Sequence, residues 1–158
     1  MVDRRQFLQA GALAAGIAAL PGVQARTQGG AKVVSTWDFG VPANQAAWKV
    51  LAQGGSALDA VEAGARWAES ELCNPTVGHC GNPDRDGVLS LDASIMDGDG
   101  RCGAVAALVD ILHPVSVARK VMENSPHVLL VGDGAQQFAV QQGFERKHLL
   151  TPQAEAAW

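Results

Sequence analysis

The chain has 158 residues, and its 12 lysines and arginines against 16 aspartates and glutamates give a net charge of -4. The basic residues form no cluster that would neutralise a run of phosphates, so composition excludes a nucleic-acid partner. Three cysteines, Cys73, Cys80 and Cys102, are an odd set in which at most one pair can close. Cys73 and Cys80 are near enough in sequence to be that pair, and Cys102 lies in an apolar run as an ordinary buried thiol.

At the amino terminus Arg4-Arg5-Gln6-Phe7-Leu8 precedes an apolar, alanine-rich run from Ala10 to Leu20. Pro21-Gly22 breaks the run, and Val23-Gln24-Ala25 offers small residues for cleavage. This pattern is a twin-arginine signal peptide over residues 1–25, and it predicts export to the periplasm. The apolar run is too short for a bilayer core, which needs about 20 apolar residues. Residues 26–158 are therefore read as the folded part, one domain or a portion of one, with no internal repeat or low-complexity linker.

Lys32 to Trp37 reads as a short β-branched strand. A helical stretch follows from Pro42 through Trp48 and Leu51 to Gly54-Gly55, where a left-handed cap is expected. Ser56 with Asp59 three residues on predicts a capping box, and Ala57, Val61, Gly64, Ala65 and Ala68 predict a narrow stripe of small residues packed closely on a neighbour. Past a glycine-rich turn, Leu89, Leu91, Ala93 and Ile95 alternate with Ser90, Asp92, Ser94 and Met96, the period of a half-buried strand. Asp97-Gly98-Asp99-Gly100 turns the chain into the apolar run Cys102 to Leu108, which predicts a hairpin. Pro114 opens the next helix, with Val117, Ala118, Val121 and Met122 as its buried face and an end near Asn124. His127 to Val131 is strand-like, and Gly132-Asp133-Gly134 leads into a last helix carrying Phe138 and closed by Gly143.

Several lookalike motifs fail on position. Gly132-Asp133-Gly134 opens a helix after a strand, but Gln137 stands where a dinucleotide fold needs its third glycine, and the predicted elements provide no βαβ context. Asp97 and Asp99 begin a calcium-loop pattern that Arg101, Cys102 and Leu108 break. His79-Cys80 with Cys73 lacks the paired spacing of a zinc site. His113, His127 and His148 are scattered and receive no acid or base role. No cofactor and no metal are expected.

The block from Thr76 to Asp97, TVGHCGNPDRDGVLSLDASIMD, taken with Ser35-Thr36-Trp37-Asp38-Phe39 and the GGSALDAVE run at Gly54 to Glu62, resembles the glycosylasparaginases. These are N-terminal-nucleophile (Ntn) amidohydrolases that remove the sugar from glycosylated asparagine. The resemblance runs from about Val33 to the last residue. It implies an α+β fold, part of an αββα Ntn-hydrolase sandwich, in which residues 26–158 are the α-subunit portion of the domain. A small-molecule substrate, glycosylated asparagine, is implied, and the implied partners are a C-terminal β-subunit and further copies in a higher-order homo-oligomer of α/β pairs. The family's nucleophile is a threonine freed when the precursor cleaves itself after an aspartate. Thr27, Thr36, Thr76 and Thr151 follow Arg, Ser, Pro and Leu, so no Asp-Thr pair occurs and the nucleophile is expected beyond this chain.

Three residues match family positions near the substrate pocket: Trp37, Phe39 and Thr76, the last of which is more often serine. On its residues alone Trp37 either packs in a core or lines a cleft, and the resemblance favours the cleft. Thr76 is implied to hold a hydroxyl close to the incoming nucleophile. Where relatives carry Gly-aromatic-Gly-Gly this chain has Gly78-His79-Cys80-Gly81. If that position requires a positive φ, Cys80 costs on the order of 1 kcal/mol. A β-aspartyl peptidase or L-asparaginase of the same fold, or a noncatalytic scaffold protein, are the alternative functions.

Overall fold

A computed structural model of the chain describes residues 30–71 and 74–158. The expected signal peptide over residues 1–25 lies outside the described residues, as does Cys73. Lys32–Trp158 form a unit in which helices α1 (Gly40–Ala52), α2 (Ala57–Ser70), α3 (Pro114–Asn124), α4 (Gly132–Gln141) and α5 (Pro152–Ala157) accompany strands β1 (Ser90–Met96), β2 (Cys102–Val109) and β3 (Leu129–Val131). The fold class is α+β.

The alternation read from Leu89 to Ile95 appears directly in the burial of β1: Leu89, Leu91 and Ile95 are buried, while Ser90, Asp92, Ser94 and Met96 are exposed. β1 and β2 form the expected antiparallel hairpin, with Met96 opposite Cys102 and Ser90 opposite Val109. The register slips between Leu91 and Ala93. There Ala107 takes a positive φ of 52°, and its N–H donates to Asp92 Oδ1 at 2.7 Å instead of to the ladder. The extra residue of such a bulge resets the alternation, so β2 buries Gly103, Val105 and then Leu108.

β3 runs parallel to β2, with Ala104 opposite Leu129 and Ala106 opposite Val131, giving a mixed sheet in the order β1-β2-β3. β2, α3 and β3 are therefore a βαβ unit, and the expectation that none surrounds Gly132-Asp133-Gly134 is corrected. Hairpin reasoning could not reveal it, because a parallel partner is reached only through the crossover helix. α3 lies across β1 and β2 and α4 against β2. The core between them is built on Ile95, Val105, Leu108, Val117, Val121 and Ala135, all at most 4% exposed. Gly103 permits this closeness, since a Cβ there would lie 2.1 Å from the Ala118 carbonyl oxygen. Leu149, on the segment leading to α5, joins Leu89 and Leu91 in a second cluster.

α1 and α2 pack through small residues. A Cβ on Gly64 would lie 3.1 Å from the Ala43 carbonyl oxygen and 3.4 Å from the Ala47 Cβ. The buried stripe of α2 is Ala60, Gly64 and Ala68, and Val61, expected within it, is 55% exposed. The face is turned because α2 is covered both by α1 and by the start of α3. The capping box is formed: Asp59 N–H donates to Ser56 Oγ at 3.1 Å and Ser56 N–H to Asp59 Oδ2 at 3.3 Å. An ionic cluster joins α2 to α3, where Arg119 Nη1 donates to Asp59 and Glu62, both at 2.7 Å, and Nε to Glu123 at 2.7 Å.

Two local expectations need correction. Lys32 to Trp37 is not a strand; it has no regular structure, and Val34 is 88% exposed. β propensity supplies no partner for the backbone, and no strand of the described sheet pairs with this segment. α1 starts at Gly40, two residues before Pro42, where the chain folds back so tightly that a Cβ on Gly40 would meet Ser35 Oγ.

Candidate functional site

Trp37 and Phe39 stand in the bend that opens α1, and Thr76 in the loop after α2. Nearly forty positions apart in sequence, they line one cavity of about 490 Å³ together with Glu69, Asp92 and Ser94. A second depression of about 410 Å³ shares Trp37, Phe39 and Thr76 and adds Asp38, Glu71 and Asn74. Trp37 is 69% exposed in this unit. The bend is held by Phe39 N–H donating to Asp38 Oδ1 at 2.8 Å and Gly40 N–H donating to the Trp37 carbonyl at 2.9 Å.

Thr76 is oriented by Asn74, which is 7% exposed. Asn74 Oδ1 accepts the Thr76 N–H at 3.1 Å and the Thr76 hydroxyl at 2.6 Å. The hydroxyl proton is thereby committed, and the lone pairs of Oγ1 are what Thr76 offers to any group entering the cavity. Two residues on, the turn Gly78–Cys80 begins with Gly78 at φ 70°. The positive φ of this turn thus falls on Gly78 and Cys80 has none, so the expected strain at Cys80 does not arise. Among the described residues Cys80 and Cys102 form no disulfide; Cys102, expected to be buried, is half-buried, and the Cys80 Sγ lies 3.9 Å from Thr151 Oγ1.

The acidic wall was not expected from the sequence. Glu69, 3% exposed, sits at the end of α2; its Oε1 accepts the Val115 N–H at 2.9 Å and its Oε2 lies 3.1 Å from His113 Nδ1. Burial pushes its carboxyl above the usual glutamate range, against the opposing pull of His113 and the Val115 amide. His113, given no role by the sequence, is thus a structural partner of Glu69, whereas His127 and His148 are exposed. Burial also lowers His79, with Lys147 adding repulsion. A carboxylate adjoining the small-residue stripe of α2 was the signal for Glu69; for Asp92, on the polar face of its strand, there was none. Among the described residues no three histidine, cysteine, aspartate or glutamate side chains converge to hold a metal ion.

The asparaginase family profile matches residues 22–158. An N(4)-(β-N-acetylglucosaminyl)-L-asparaginase of Elizabethkingia miricola is 55% identical over 126 residues, covering 80% of this chain and 37% of the relative. The enzymes of the same name from Rattus norvegicus and Mus musculus are both 50% identical, over 78% and 75% of this chain and 36% and 34% of their own lengths. The chain spans about a third of the length of the curated relatives it matches. A profile matched over most of the chain, with identities of 50–55% to glycosylasparaginases, places this protein in the asparaginase family, among the Ntn hydrolases.

Proposed function

We propose that this chain is the α-subunit portion of an amidohydrolase that cleaves the side-chain amide of N4-glycosylated L-asparagine. The observation that carries the reading is the meeting of Trp37, Phe39 and Thr76 around one cavity. In this reading residues 26–158 are one part of an αββα sandwich, completed by a β-subunit that brings the nucleophilic threonine, and the α/β pairs associate further. Residues 1–25 direct the protein to the periplasm by the twin-arginine route.

The chemistry divides between the two parts. The threonine hydroxyl attacks the side-chain amide carbon while its own α-amine takes the proton, the C–N bond breaks, and the glycosylamine leaves. Water then hydrolyses the aspartyl ester and restores the threonine. This chain binds and orients: Trp37 and Phe39 present apolar walls at the aspartyl end, and Thr76 Oγ1, its proton held by Asn74, accepts a hydrogen bond from the arriving nucleophile.

A chimera tests this, with residues 30–158 replacing the aligned segment of the Elizabethkingia miricola relative. We expect aspartate release from N4-(β-N-acetylglucosaminyl)-L-asparagine, reduced about tenfold or more by Thr76→Val through loss of one hydrogen bond of about 1.4 kcal/mol. Release unchanged by Thr76→Val would show that Thr76 faces no nucleophile.

A further inference from the structure

Glu69 is buried where a carboxylate is costly, yet both of its oxygens are committed and its backbone is pressed against the site loop. Its side chain holds the first turn of α3 through the Val115 amide, a donor with no partner inside the helix at an N-terminus that favours negative charge, and through His113. On the other side, a Cβ on Gly78 would lie only 2.0 Å from the Glu69 carbonyl oxygen and 2.6 Å from its carbonyl carbon. Asn74 and Thr76 fall in sequence between Glu69, one residue from the end of α2, and Gly78, which packs back against Glu69. Glu69 therefore closes this loop at its base and fastens the closure to α3. Stability alone explains such a group poorly, since a buried carboxyl with its hydrogen-bond partners is often no better than apolar side chains of the same volume.

We propose that Glu69 is a positioning residue: gripped by His113 and the Val115 amide, it holds the Thr76 hydroxyl in the cavity, a role that rests on the site reading above. When the carboxylate takes a proton, one of its oxygens becomes a donor and the bonds it accepts weaken, so the hold on the first turn of α3, to which the base of the loop is fastened, loosens. The charged and titratable groups around it are His113 ahead of α3, Arg66 on α2 itself, Asp92 on β1 across the cavity, and His79 beside Gly78. Because burial raises the Glu69 carboxyl, the loosening begins at a pH above the usual glutamate value of 4.5.

The test is a pH titration of the chain carrying ¹³C-labelled threonine methyl groups. The sequence has only Thr27, Thr36, Thr76 and Thr151, and Thr76→Ser identifies the signal. The Thr76 methyl is expected to inflect above pH 4.5, and Glu69→Gln to remove that inflection in a chain that still melts cooperatively. His113→Leu withdraws the hydrogen bond that favours the charged form, so it moves the inflection to higher pH. Asp92→Asn and His79→Gln leave it in place. Absence of an inflection in the unmutated chain, or its survival in Glu69→Gln, overturns the proposal. Should Glu69→Gln fail to fold, the His113→Leu arm decides, and an unmoved inflection refutes it. The titration needs no substrate, so it stands or falls separately from turnover by the chimera.

Discussion

Truncating Trp37 to alanine separates a pocket wall from a core residue by magnitude. A tryptophan buries about 150–250 Å² when fully covered. At 69% exposure roughly a third of that is withdrawn from water here, or about 50–80 Å², which at about 25 cal/mol per Å² is on the order of 1–2 kcal/mol. A core tryptophan cut to alanine costs about 3–5 kcal/mol. For a unit of this size 1 kcal/mol moves the melting temperature by roughly 3–5 °C, so Trp37→Ala should lower it by no more than about 10 °C, and Trp37→Phe by less. In the chimera, substrate that has lost the indole wall is misplaced, and a displacement of about 1 Å costs on the order of a hundredfold in rate. Differential scanning calorimetry of the variant chain and aspartate release by the variant chimera are the two measurements. The reasoning fails if melting collapses by much more than this and activity falls only in proportion.

Four further substitutions probe the frame around the site. Leu108→Ala, at a fully buried position under α3, should cost about 2–5 kcal/mol, read as a lower urea midpoint at unchanged slope. Gly78→Ala and Gly54→Ala both place a side chain at positive φ, a strain of about 1–2 kcal/mol. Gly54 has open space around it while Gly78 meets the Glu69 carbonyl, so Gly78→Ala should lose clearly more stability, and equal losses would mean that the Glu69 contact carries no weight. Ser56→Ala removes one half of the capping box and should destabilise by about 1 kcal/mol, measured by the same urea titration.

The features legible in the sequence are those set by neighbours along the chain. The alternation Leu89 to Ile95, the Ser56–Asp59 capping box, Pro114 at the start of α3 and Gly143 at φ 88° beyond α4 depend only on local periodicity and local hydrogen bonding, and each appears where it was expected. Trp37, Phe39 and Thr76 stand out in the sequence only through family resemblance, and the fold brings them together around one cavity. Local rules could not see the parallel return of β3 to β2, the bulge at Ala107 whose amide is taken by Asp92, or the failure of Lys32 to Trp37 to become a strand. Each is decided by what lies across space from the segment. Glu69 shows the division most clearly: its place along α2 follows from the helix, but whether a carboxylate there is solvated or buried beneath a site depends on α3 and the Gly78 turn closing over it. Only packing in three dimensions brings those groups to it.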